Sequence, residues 1–423
     1  MATLAHGIGS VHDLPVSAFY AFAGAFTALF VSFLALGLLW STSQLRGDRA
    51  GHPLPAVLQR FADARVTRRA LSAAGLAATV LVLLHALLGP DDPDRNPAPG
   101  AFYVLLWVGL VPASLLLGPL WRLLNPLRTV YRAFRRWLPS PARTPPARLG
   151  LWPAAAGLLG FTWLELVVPE PAATATVLWA LVLYGTLQLC CAIRYGEGWF
   201  AQGDAFEVYS TLLARLSPLG RRADGRLVLR APLHGLDGTP AVPGLVATVC
   251  VLLGSTAYDG FSGAPSWIGL LQTNPLGRVP AATLGLLGSV ALVAALYCLC
   301  AAATRLLSGP LPHPLAAFAH TLVPIALGYL TAHYFSLLVT EGPRTFAMAV
   351  GVEDPPAPAP LLGPGALAVL QVSAVVLGHV LAVFAAHDRS VRLFPPSKAV
   401  VGQLPMLVLM VTYTVGGLSL LLT

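Results

Sequence analysis

Ten long apolar stretches alternate with polar connections along the chain. They run approximately from Val16 to Trp40, Ala70 to Gly89, Ala101 to Leu120, Gly150 to Val168, Ala173 to Ile193, Val242 to Gly260, Ala281 to Ala303, Ala316 to Leu338, Ala366 to His387 and Gly402 to Leu422. A helix rises about 1.5 Å per residue, so each stretch is long enough to cross roughly 30 Å of hydrocarbon. The pattern predicts an all-α, polytopic transmembrane bundle of about ten helices, forming a single integral membrane domain over residues 1–423. Of the 26 Lys and Arg residues, 23 fall on every second connection and only Arg95, Arg278 and Arg344 on the others. Positively charged loops stay cytoplasmic, which predicts a multi-pass protein of the plasma membrane with both termini extracytoplasmic.

The connections themselves carry further pattern. In the cytoplasmic loop over residues 195–240, Phe206, Tyr209, Leu212, Leu213 and Leu216 recur at helical spacing, which predicts an amphipathic helix lying at the membrane interface. After it, Asp224-Gly225 and the alternating run Arg226 to Arg230 predict a small hairpin. The outer connections Gly89 to Gly100 and Gly351 to Gly365 are acidic and proline-rich and read as irregular. Five apolar stretches precede the 195–240 loop and five follow it, so the halves would enter the membrane in opposite directions, as in inverted-repeat transporters. Pro112 and Pro324 occupy similar Leu-Val-Pro placements in the third and eighth stretches.

Composition excludes a soluble reading: 56% of residues are hydrophobic and 10% charged, against about 25% charged in an ordinary soluble domain. The net charge of +8 comes from arginines dispersed over juxtamembrane loops without interleaved aromatics. The partner they predict is the lipid bilayer, not nucleic acid. The first apolar stretch has no basic leader and no small-residue cleavage site, and is expected to remain as a helix. Cys190, Cys191, Cys250, Cys298 and Cys300 all lie in apolar stretches, where a thiol behaves as a small hydrophobe. Cys190 and Cys191 with Cys298 and Cys300 could alternatively form a soft-metal site.

Ionisable side chains at membrane depth are costly unless paired or wetted, which makes each a functional candidate. The predicted topology puts His85, Glu165, Asp259 and His333 near outer ends of helices, with His6, His12 and Glu341 in adjoining segments. Imidazoles and carboxylates are ligands for zinc, copper or iron. The expected site is therefore a transition metal on His85, Asp259 and His333, with His6 and His12 on a tail able to fold over the mouth and Glu165 or Glu341 as base. The bland alternatives are water-facing tail histidines, interhelical hydrogen bonds at Asp259 and His333, and an interface carboxylate at Glu165. On the inner side His320, His379 and His387 form a second candidate group, and a haem b between His320 and His387 or His379 is the alternative cofactor. His387-Asp388-Arg389 otherwise reads as an interfacial charge cluster. No nucleophile elbow, Walker loop, HExxH, CxxC pair or dinucleotide fingerprint is present.

The segments WRLLNPLRTVYR, GDAFEVYSTLLARLSPLGRR, STAYDGFS, AHYFSLLV and PMLVLMVTYTVGG together resemble a family of uncharacterised polytopic membrane proteins of high-GC bacteria. Some members of that family are labelled fenitrothion hydrolase. The resemblance spans most of the chain and implies cleavage of an organophosphate triester, a reaction often run by metal-bound hydroxide; it implies no residue roles. Three functions follow as expectations. The first is a membrane metalloprotein, a metal-dependent hydrolase or oxidase; the second is a proton-coupled secondary transporter or permease using Glu165 or Asp259. The third is a non-catalytic subunit or assembly factor of a larger membrane complex, for which the amphipathic helix and arginine-rich loops would contact other membrane subunits.

Overall fold

The computed structural model describes residues 18–138, 141, 143–311, 313–356 and 358–422. His6 and His12 lie outside the described residues. The principal helices are α1 (Ala18–Leu39), α2 (Ala56–Asp63), α3 (Arg65–Leu88), α4 (Leu110–Leu117), α5 (Pro126–Phe134), α6 (Trp152–Leu166), α7 (Thr174–Tyr195), α8 (Ala205–Ala214), α9 (Leu245–Ser262), α10 (Arg278–Ser308), α11 (Val323–Ala349), α12 (Pro364–Leu393) and α13 (Pro396–Leu422). A π-helical stretch, Ala101–Val108, leads into α4. Among the described residues, nine helical stretches are long and apolar enough to cross a membrane. The chain is thus a multi-pass helical membrane protein. The stretch predicted over 150–168 is the one that falls short: α6 has 15 residues, spanning about 22 Å at the α-helical rise.

The chain groups into two compact units. The first holds Gly51–Pro232 and Ser336–Pro360; the second holds Leu233–Phe335 together with the described residues up to 50 and from 361 onward. This division does not follow the sequence halves, because α1 packs on α12 and α13 near the C-terminus. The two prolines that hinted at a repeat stand where helix type changes: Pro112 follows the π-to-α junction at Gly109, and Pro324 follows the 3-10 turn Ala319–Leu322. Proline has no N–H to give to the ladder, so such junctions tolerate it.

In the first unit the predicted hairpin forms. Strands β2 (Leu219–Arg221) and β3 (Leu227–Leu229) pair antiparallel with Leu219 opposite Leu229, and β1 (His52–Pro53) adds to β3 on its other side. Gly225 turns the hairpin at φ +82°, a conformation that glycine adopts without a steric cost.

The helix expected at the interface is present as α8, but it is buried nearly all round. Phe206, Glu207, Val208, Tyr209, Ser210, Leu212 and Leu213 are all buried, and α8 packs on α4 and α6. Its polar positions are not a solvated face because other segments supply their partners: the Ser210 hydroxyl lies 2.8 Å from that of Ser114, and Glu207 meets Arg128. Around it Phe161 touches Phe102, Trp107 and Phe206, with ring centroids 5.2, 4.9 and 5.3 Å apart.

In the second unit α11 and α12 cross closely. A Cβ at Gly328 would stand 2.4 Å from the Ala374 carbonyl oxygen, and one at Gly378 would stand 2.5 Å from that of Pro324. Small residues at such crossings let membrane helices approach to backbone contact. Tyr329, Ala332, Val375 and Leu418 form a core cluster beside this crossing with Ala25 of α1.

Candidate functional site

In the second unit the structure brings together two of the predicted outer residues. Asp259 lies one turn from the end of α9, and its side chain is fully buried. His333 Nε2 donates to Asp259 Oδ2 at 3.0 Å, and the Tyr334 hydroxyl donates to the same oxygen at 2.6 Å. Consecutive residues of α11 thus converge on one carboxylate of α9. The imidazole of His333 is sandwiched in orientation: Tyr329, one turn earlier, stacks on it at 5.8 Å with 17° between planes, and Tyr334 meets it edge-on at 4.8 Å. Glycine at 260 is required here, because a Cβ there would stand 2.5 Å from the Tyr329 hydroxyl oxygen. His333 is 11% exposed, so the carboxylate is sealed while its partner is not. The alternative of an interhelical hydrogen bond is met, and the same bond fixes the imidazole in one orientation.

The inner histidines are engaged differently. His387 Nε2 donates to the Trp40 carbonyl at 2.8 Å, and Nδ1 accepts from the Gln403 amide nitrogen at 2.9 Å. Both ring nitrogens are occupied, so His387 offers no lone pair to a haem iron. His379 donates from Nδ1 to the Val375 carbonyl at 2.8 Å, and His320 is buried. Asp388 is fully buried and accepts from Trp40 Nε1, Ser43 Oγ, the amides of Gln44 and Leu45, and Arg392.

In the first unit the remaining predicted residues stay apart in role. His85 Nδ1 donates back to the Leu81 carbonyl of its own helix at 2.9 Å. Glu341 lies 3.5 Å from Arg344, which also reaches Asp94 at 3.2 Å. Glu165 is 4% exposed. It sits four residues after Phe161 on α6, on the face that meets Tyr103 and Trp107 of the π-helix. Burial, and after it the nearby Glu165 charge, hold the Tyr209 phenol well above its ordinary range. Among the described residues, no group of three or more His, Cys, Asp or Glu side chains is placed to hold a metal ion. The five cysteines are free thiols.

Sequence reasoning missed a buried ionic cluster in the first unit. Asn125 caps α5, its Oδ1 accepting from the amides of Leu127 and Arg128; Asp204 caps α8, its Oδ1 accepting from those of Phe206 and Glu207. The two caps are joined, since Asn125 Nδ2 donates to Asp204 Oδ2 at 2.7 Å. Arg128 then grips Glu207 through two bonds of 2.6 Å, Nε to Oε2 and Nη2 to Oε1, and reaches Glu197 at 3.0 Å, which Arg132 shares at 2.6 Å. The available signal was Asn-Pro-Leu-Arg, an N-cap followed by proline at the first helical position, and Asp204 before an apolar run. Burial, followed by the Glu207 charge, pushes the Asp204 carboxyl up to about 6 despite bonds from Tyr184, Glu207 N and Asn125. A folded-state value raised above the ordinary carboxylate range stabilises the fold fully below that ordinary value, and the stabilisation is lost as pH rises through about 6. Over that window the thermal midpoint of the purified protein is expected to fall more steeply with rising pH than that of Asp204→Asn; parallel curves for the two proteins would contradict it.

Comparison with protein-family models, with curated proteins and with solved structures found no match for this chain. The functional reading therefore rests on the geometry of its own residues.

Proposed function

We propose that this chain is a proton-coupled transporter of the plasma membrane, with both termini extracytoplasmic, in which the Asp259–His333 pair binds and releases the coupling proton. The single observation that carries the reading is the sealed Asp259 carboxylate bonded to a partly exposed His333 imidazole at 3.0 Å. With neutral imidazole the pair carries one negative charge; with imidazolium it carries none. A bare charge in a low-dielectric interior is costly, so proton uptake neutralises the site and releases the helices around it to rearrange. Tyr334 holds Asp259 in place in both states, and Tyr329 fixes the imidazole plane. The exposed edge of His333 is the route by which the proton enters.

A second reading is favoured by the same bond. A carboxylate accepting from a histidine is also how metal-ligating imidazoles are oriented, which suits a zinc, copper or iron hydrolase of the kind implied by the family resemblance. The experiment that separates them is infrared difference spectroscopy of the protein in lipid bilayers between acid and alkaline pH, with elemental analysis of the same sample. Proton coupling predicts titrating imidazole and carboxylate bands that disappear together in Asp259→Asn and in His333→Gln, and potential-driven proton flux in liposomes that both variants lose. Wild-type spectra indistinguishable from those of Asp259→Asn would sink it. Stoichiometric metal lost in His333→Gln would establish the second reading in its place.

A further inference from the structure

The first unit holds a second polar site, independent of the Asp259–His333 pair. Trp107 is 1% exposed and Tyr209 fully buried, and their rings stack at a centroid distance of 4.6 Å with 21° between planes. Neither the Trp107 indole nitrogen nor the Tyr209 hydroxyl has a hydrogen-bond partner in the protein. A buried donor left unmet is costly, and two such donors on stacked rings are uncommon in a folded interior. Both belong to the aromatic cluster around Phe161, and α6 places Glu165 one turn above Phe161 on the same face. The π-helix Ala101–Val108 carries Trp107; such stretches are rare and recur at functional sites.

We propose that Trp107, Tyr209 and Glu165 enclose an internal water site that hydrates the Glu165 carboxylate. The donor count selects the ligand. Two donors on the aromatic side require a molecule that accepts twice, and a carboxylate on the other side requires one that donates; water does both in the smallest volume. An anion would meet the Glu165 charge, and an organic cation could not accept from the indole and phenol. The bound water gives Glu165 an exchangeable proton partner inside an otherwise aromatic enclosure.

Two measurements on the full-length protein in detergent test the site. Hydroxyl radicals generated by X-ray radiolysis of internal water oxidise the side chains that touch it, whether or not bulk solvent reaches them. Trp107 and Tyr209 are expected to be oxidised several-fold faster than the buried Trp199 and Tyr297, which share their intrinsic reactivity, and the excess is expected to fall in Glu165→Leu. Independently, Tyr209→Phe removes a hydroxyl with little change of shape. If the hydroxyl is bonded to water, the thermal midpoint falls, and Tyr209→Phe and Glu165→Gln combine non-additively. A dry site predicts the opposite sign, since deleting an unmet hydroxyl leaves the midpoint unchanged or raises it. Oxidation of Trp107 and Tyr209 no faster than that of Trp199 and Tyr297, or a midpoint not lowered in Tyr209→Phe, would each overturn the proposal.

Discussion

Replacing Arg128 with methionine is expected to destabilise the protein by about 3–5 kcal/mol, the usual cost of leaving one member of a buried ion pair without its partner. Arg128 is 4% exposed and Glu207 1%, so water cannot take over the bonds that the guanidinium makes. The loss extends beyond the pair. Glu207 also accepts from Asn125, and Asn125 holds both the α5 cap and the Asp204 cap. The Arg128 guanidinium further lies 5.2 Å from the centre of the Phe200 ring, a contact that methionine retains only as packing. Glu207→Gln keeps an acceptor for Arg128 but strands its charge, leaving the guanidinium with Glu197 alone. Arg128→Met combined with Glu207→Leu removes both charges, and that double variant is expected to recover most of the loss. Thermal midpoints in detergent decide the matter. A single variant as stable as the wild type, or a double variant no better than Arg128→Met, would show that the cluster contributes no net pairing energy.

Asp388→Ala is expected to cost about 2 kcal/mol, because several donors lose one buried acceptor at once. Asp388 receives the Gln44 amide at 2.5 Å, Ser43 Oγ at 2.8 Å, Arg392 at 3.0 Å, the Leu45 amide at 3.2 Å and Trp40 Nε1 at 3.3 Å. Together these bonds hold the segment that follows α1 to the C-terminal end of α12. Arg392 keeps Asp237, with both oxygens at 2.9 Å, so its charge is not orphaned and the loss concentrates on the backbone amides. Ser43→Ala is correspondingly milder, about 1 kcal/mol, and Asp388→Asn falls between. The distinguishing measurement is hydrogen exchange at Gln44 and Leu45. Both amides are expected to lose protection in Asp388→Ala, and unchanged protection at these two positions would refute the account.

Several residues show where sequence reading reached its limit. Asp259 and His333 were recognisable as ionisable groups at membrane depth, because the cost of burying them makes them conspicuous in any apolar run. That they meet was not readable, since 74 positions separate them and helical periodicity relates only residues a few turns apart. The Arg128–Glu207 pair, 79 positions apart, was hidden for a further reason: both residues fall between the apolar stretches, in connections where charge is ordinary. The same reasoning misjudged α8, whose Glu207 and Ser210 look like a wet face until Arg128 and Ser114 arrive from elsewhere. Asp388 read as part of an interfacial charge cluster, for want of any sign of the amides it accepts from.

The sequence by itself determined that this chain is a multi-pass helical membrane protein, because hydrocarbon thickness sets the length of an apolar run and every spanning backbone must satisfy its own hydrogen bonds. It also determined the hairpin, which depends on neighbours within a few residues. Only the tertiary structure decided that α1 groups with the C-terminal helices, that 15 residues and not a full span carry Glu165, and which charges are paired. Those outcomes depend on donors and acceptors brought together from distant positions, and in a low-dielectric interior the partner, more than the residue type, decides whether a buried polar group is structural support or a site for chemistry.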